Sequence, residues 1–181
     1  MKRFDWINFL VICLIVFGIG LALYPFLSQY YYRYEAKNQV NLFETSKNNY
    51  SQEDLERLRS LEEGYNKSLH GYGAWGKKDL LAKKNGRDYY LEILKKKELI
   101  ASVVIPNIGQ ELPVYMGSSE EVLQKGAGLL ENSSLPLGGS STHSVITAHR
   151  GLPEARLFTD LDKLELEDIF YVKNKYETLA Y

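Results

Sequence analysis

The sequence predicts a mainly β fold, a barrel or sandwich, set behind an apolar N-terminal segment and a helical arm. Three observations carry that expectation. From Leu99 onward, short β-branched and apolar runs alternate with Pro, Asn and Gly turns, the pattern of short strands joined tightly. Trp6 to Leu27 is apolar apart from Asn8, about the length needed to cross a bilayer as a helix. Between these two regions, leucines recur at spacings of three and four, which marks an amphipathic helix.

Composition narrows the function before any motif is read. The 181 residues leave room for one modest domain plus an anchor. A formal net charge of −1 gives no electrostatic reason to expect nucleic acid. The single cysteine excludes a disulfide framework within the chain, and no spacing suits a metal finger.

Taken in order, the apolar run follows Lys2 and Arg3, which favour a cytoplasmic N-terminus. No small-residue cleavage site follows it, so it reads as an uncleaved signal anchor rather than a cleaved leader. Tyr24 and Tyr30 to Tyr32 fall where amphipathic rings prefer to sit, at the outer interface. Residues 28 to 50 are polar and read as a stalk. A helix is expected from Ser51 to Leu69, started by a capping box between Ser51 and Asp54, with Leu55, Leu58, Leu61, Tyr65 and Leu69 as its buried stripe. Gly71, Gly73 and Gly76 break that pattern around His70 and Trp75. Asn85-Gly86 marks a turn, and Asp88 caps a helix to about Lys97, with Tyr90, Leu91 and Leu94 inward and Lys95 to Lys97 complementing the helix dipole. Strands are expected at Leu99 to Ile105 and Leu112 to Met116, joined by a turn at Asn107 to Gly109. A short helix capped by Ser118 or Ser119 then runs to Gly126. Gly138-Gly139 turns the chain into a strand at Ser144 to Ala148. Further strands follow at Ile169 to Lys173 and Glu177 to Tyr181. Three regions result: residues 1–27 as the anchor, 28–98 as an extracellular stalk and helical arm, and 99–181 as the first part of a β-barrel domain.

The chemistry concentrates at Ser141 to Pro153, Ser-Thr-His-Ser-Val-Ile-Thr-Ala-His-Arg-Gly-Leu-Pro. His149 and Arg150 stand where a strand gives out, before Gly151 and Pro153 force a loop. A titratable imidazole beside a fixed cation suits acid–base work, although a lone histidine in a turn also reads as an ordinary surface residue. His143 and His149 lie six residues apart in an extended run, on the order of 20 Å, with no carboxylate between them, so a shared metal ion is not expected. No Gly-x-Ser-x-Gly elbow presents a serine to His149. Ser133, Ser134, Ser140 and Ser141 read as turn residues. No cofactor is called for.

Six pieces in one order resemble the pilus-building, class C sortases, membrane-anchored cysteine transpeptidases of Gram-positive cell surfaces. They are Ile-Pro-Asn-Ile at 105–108, Leu-Pro-Val-Tyr at 112–115 and Gly-Ser-Ser-Glu-Glu-Val-Leu-Gln-Lys-Gly at 117–126. Ser-Ser-Leu-Pro-Leu-Gly-Gly at 133–139, Ser-Thr-His-Ser-Val-Ile-Thr-Ala-His-Arg-Gly at 141–151 and Leu-Phe-Thr-Asp-Leu at 157–161 complete the set. Ala148 stands where the family often has Gly. The resemblance implies the sortase-type closed β-barrel of eight strands, of which this chain holds roughly the first half. It implies His149 as the catalytic histidine. The partners it implies are pilin subunits bearing LPxTG-like sorting signals, cleaved and joined through lysine isopeptide bonds. The localisation it implies is the cell membrane, with a single-pass anchor and the catalytic domain outside.

Two departures qualify this. The family's nucleophilic cysteine and its catalytic arginine lie on later strands, and neither appears before Tyr181; the sole cysteine, Cys13, lies in the apolar run, where a thiolate is disfavoured. The chain as given is therefore expected to be an inactive fragment, with a truncated, catalytically dead surface-anchored protein as the alternative. The family's lid often carries an Asp-Pro-aromatic motif; no Asp-Pro occurs here, and Trp75 is the aromatic candidate for a plug. Arg150 is expected to contact backbone or a carboxylate, Asp160 or Asp162, rather than to replace the missing arginine.

Overall fold

The first helix, α1, runs unbroken from Trp6 to Ser46 in this computed structural model, which describes residues 6–69 and 77–181. Its N-terminal half exposes large apolar side chains on all sides, Phe17 and Leu21 among them, and none of its most apolar stretch is buried against protein. It is long and apolar enough to span a membrane. Pro25 is accommodated within it.

The polar stretch read as a stalk over 28–50 is helical as far as Ser46, where α1 ends. The reason lies in spacing: Ala36, Val40 and Phe43 recur at four and three residues and form the buried stripe, while Tyr30, Tyr31 and Tyr34 stay exposed. That stripe lies chiefly on β2.

Helix α2, Gln52–Leu69, begins with the expected capping box. The Asp54 amide donates to Ser51 Oγ at 3.1 Å, and Ser51 Oγ donates to the Asp54 carboxylate at 2.6 Å. Helix α3, Lys77–Lys96, packs against it. Asn85-Gly86 is not a turn: the helix passes straight through it. Gly86 sits so close to α2 that an added Cβ would lie 2.2 Å from the Tyr65 amide nitrogen, and Gly64 faces the Ala82 carbonyl in the same way. The glycine serves helix–helix approach, a use that a local turn signal hides. Leu91 is likewise exposed, and Ile93 takes the inward place beside Tyr90, with Leu94 half-buried. Lys97, at φ 51°, ends α3 with the paired bonds of a Schellman motif, its own amide to Leu94 O and the Glu98 amide to Ile93 O.

One sheet follows, in the order β4-β3-β2-β1-β5-β6. Its strands are β1 Leu99–Ile105, β2 Gln110–Met116, β3 Ala127–Leu129, β4 Ile146–Thr147, β5 Tyr171–Lys173 and β6 Thr178–Ala180. Among the described residues β4 and β6 are its edges and do not pair, so the barrel is not closed, and helix outweighs strand because α1 to α3 precede the sheet. The β1–β2 hairpin turns through Pro106–Ile108 and Gly109, with a register shift between Leu99 and Ala101. β3 pairs in parallel with β2 after a crossover through the short helix α4, Glu120–Leu123. Ser119 occupies the α4 cap position without a side-chain bond, and the helix ends earlier than Gly126. Val103, Ile105, Leu112, Val114, Met116, Leu129, Leu157 and Val172 form the core with Tyr65, Tyr90 and Ile93 from the arm.

The arm is fixed to the sheet by more than apolar contact. Tyr65 and Tyr90 stack at 4.0 Å between centroids. Tyr65 Oη donates to Ser133 O, and Asn66 exchanges two bonds with the Leu135 backbone. This dock positions the segment that leads toward His149.

Candidate active site

The segment before His149 is held by serine side chains in place of a long ladder. Ser133 Oγ accepts from the Val145 amide and Ser134 Oγ from the His143 amide, while the Leu130 and Ser134 amides donate to the carbonyls of Val145 and His143. Regular pairing is thereby limited to Ile146–Thr147 against β3, shorter than the expected Ser144 to Ala148. Ser133 and Ser134 are buried, which makes them structural bonding partners rather than exposed turn residues.

His149 lies two residues past β4. Its carbonyl accepts from the Phe158 amide at 3.2 Å, closing a loop behind it. The loop is stitched again from the Gly151 amide to Thr159 Oγ1 at 3.0 Å, with Gly151 in the left-handed region at φ 80°. Arg150 pairs with Asp162 at 2.8 Å, one of the two carboxylates named for it. Arg156 grips Asp160 with two nitrogens, and Lys163 adds a third cationic contact. The Lys163 bond, followed by that of Arg156, holds the Asp160 carboxyl below the usual aspartate range.

The imidazole itself is about a quarter exposed, and its Nε2 lies 3.3 Å from Glu120 Oε1. Glu120 opens α4, whose approach is fixed by Glu131: the Ser118 amide and hydroxyl both donate to that carboxylate, holding it below the usual glutamate range. A carboxylate at this distance orients the ring. Sequence reasoning missed Glu120, which lies 29 positions away; its place in a helical first turn signals an exposed acid but not a partner.

His143 takes no part in the His149–Glu120 contact. It is exposed and lines a cavity of about 480 Å³ with Ile146, Phe158, Leu161 and Phe170. No cluster of metal-ligating side chains occurs among the described residues. Cys13 sits on the apolar half of α1. Trp75, the candidate plug, lies outside the described residues.

Comparison with known proteins decides the family. The sortase domain profile matches residues 103–181. The chain is similar to sortase C1 from Streptococcus suis, with 50% identity over 67% of this chain and 68% of that one, at a TM-score of 0.65. The chain belongs to the class C sortases. Streptococcus agalactiae sortase C1 is 43% identical to this sortase over 78% of its length and 73% of the other's, with a TM-score of 0.71. A pilus-related sortase C of Group B Streptococcus is 41% identical over 77% and 71%, with a TM-score of 0.61. No curated protein matches the chain. By family this sortase is of the transpeptidase kind, and the six-stranded sheet, with its edge strand β4 leading to His149, is a sortase fold.

Proposed function

We propose that this sortase contributes the acid–base histidine of a membrane-anchored transpeptidase that joins pilin subunits, and that His149 is that residue. The observation that carries the reading is the placement of His149 at the end of β4, oriented by Glu120 and backed by a stitched loop, inside a domain similar to sortases C. A cysteine thiolate of the same family attacks the Thr–Gly carbonyl of an LPxTG-like signal, forming a thioester and releasing the glycine amine. His149 protonates that leaving amine, and then takes the proton from the lysine amine whose attack frees the thiol and leaves an isopeptide bond. An arginine supplied with the cysteine stabilises the oxyanion. Residues 1–27 serve as anchor, 28–98 as stalk and arm, and 99–181 as barrel, with the barrel outside the cell.

Cys13 is not the thiol in question. α1 meets the His149 loop at Gln29, and Cys13 lies 16 residues below it, about 24 Å along the helix axis. Cys13 is exposed on the apolar stretch of α1, where a thiolate is disfavoured. The 181 residues alone are therefore inactive in this reading. The test is incubation with an LPxTG peptide and a lysine acceptor, followed by mass spectrometry. No thioester or ligated product is expected from the chain itself. Extended with cysteine- and arginine-bearing strands of the family it should ligate, and His149→Ala in that extended form should abolish ligation. Ligation that survives His149→Ala would overturn the assignment; an extended form that never ligates would favour an anchored structural protein.

A further inference from the structure

The helix that leaves the apolar run is the same helix on which the domain sits, with no linker between them. The apolar run ends at Leu27, and Gln29 Nε2 already donates to the carbonyl of Pro153 at 2.9 Å. One turn further, Tyr32 and Arg33 line a hollow shared with Leu112, Arg156 and Leu157. From there Ala36, Val40 and Phe43 are buried against the domain. The exposed Tyr30, Tyr31 and Tyr34 mark the interfacial zone by their chemistry. A headgroup layer is roughly 5–8 Å deep on each side of the hydrocarbon, which at 1.5 Å per residue corresponds to about four or five residues of helix past the apolar run. Gln29 and Tyr32 both fall inside that depth. The loop they touch must lie at the same level, because α1 is continuous and packed against the sheet.

We infer that the loop from Leu152 to Arg156 rests in the lipid headgroup layer, so that His149 is held at the membrane surface. This rests on the reading of α1 as a membrane anchor, and it commits to a lipid bilayer as the surface this loop meets. The domain extends away from that contact: Asn48, past the end of α1, stands roughly 28 Å further along the helix axis than Gln29.

The test is depth measurement on the full chain in vesicles of phosphatidylcholine and phosphatidylglycerol doped with a lipid carrying a nitroxide on its headgroup. In a Cys13→Ala background, a fluorophore is placed through Glu154→Cys or, separately, Asn48→Cys, both exposed positions. Quenching is expected to be several-fold stronger at 154 than at 48. Inserting seven polar helix-forming residues between Leu27 and Ser28 adds two turns, lifts the domain by about 10 Å and should largely remove quenching at 154. Equal quenching at the two positions, quenching at 154 that ignores the insertion, or a chain that fails to float with vesicles would each overturn the inference. Because depth is read without a nucleophile, its failure is separate from any failure of ligation.

Discussion

In the α2–α3 arm the decisive contacts are backbone against backbone, Gly64 facing Ala82 and Gly86 facing Tyr65, with the carboxyl of Glu62 enclosed nearby and accepting from Tyr89 Oη. In the loop from His149 to Lys163 Ala155, Leu157 and Asp160 are buried, and the ties are ion pairs and single hydrogen bonds. Burial gives the arm its rigidity, whereas the loop depends on directed polar contacts. The lesson is that a scaffold and a working loop in one small chain answer to different perturbations, including opposite changes of pH.

The largest effect is expected where that contrast is sharpest. Gly86→Ala places a methyl inside the α2 backbone, and the cost should reach or exceed about 3 kcal/mol. Chemical unfolding in detergent micelles measures it, and a variant as stable as the parent would show that the helices separate easily.

Next come the two titrating acids. Burial raises the Glu62 pKa, so its contribution to folding is fully present below the unfolded glutamate value and is lost as pH rises through the folded one. The lowered Asp160 pKa works the other way: its contribution is present above the unfolded aspartate value and lost as pH falls through the folded one. Glu62→Gln should therefore flatten the loss of stability on the alkaline side, and Asp160→Asn the loss on the acid side. Thermal melts across pH 3 to 8, a window spanning roughly one unit below aspartate to well above glutamate, would separate them; interchangeable profiles would break the contrast.

The smallest effect is expected at Arg150→Ala. Its pair with Asp162 is well exposed on both sides, and exposed ion pairs contribute about 1 kcal/mol or less. A melt shifted no further than by other surface substitutions would agree, and a larger loss would assign Arg150 a structural role beyond this one contact.

Much of this molecule is written locally. The capping box of Ser51 and Asp54, the strand Leu99–Ile105 and its Pro106 turn all follow from neighbours within a few residues. What escaped notice depends on distant partners. The buried stripe of Ala36, Val40 and Phe43 in residues 28–46 has no meaning until β2 supplies the surface it covers. Gly86 looks like a turn until Tyr65 stands against it. β3, three residues long and rich in small side chains, carries no strand signal of its own and is specified by β2. At the candidate site the sequence singles out His149 but not the Glu120 beside it, since only the β2–α4–β3 crossover brings that carboxylate to the ring.

The central place of β1 has a consequence for assembly. Its partner on one side, β2, follows after a four-residue turn, so that hairpin closes as soon as both are synthesised. Its other edge pairs with β5, where Ser102 meets Lys173, and this awaits the whole of the intervening sequence. Until β5 is made, the nascent domain therefore carries a bare hydrogen-bonding edge along β1.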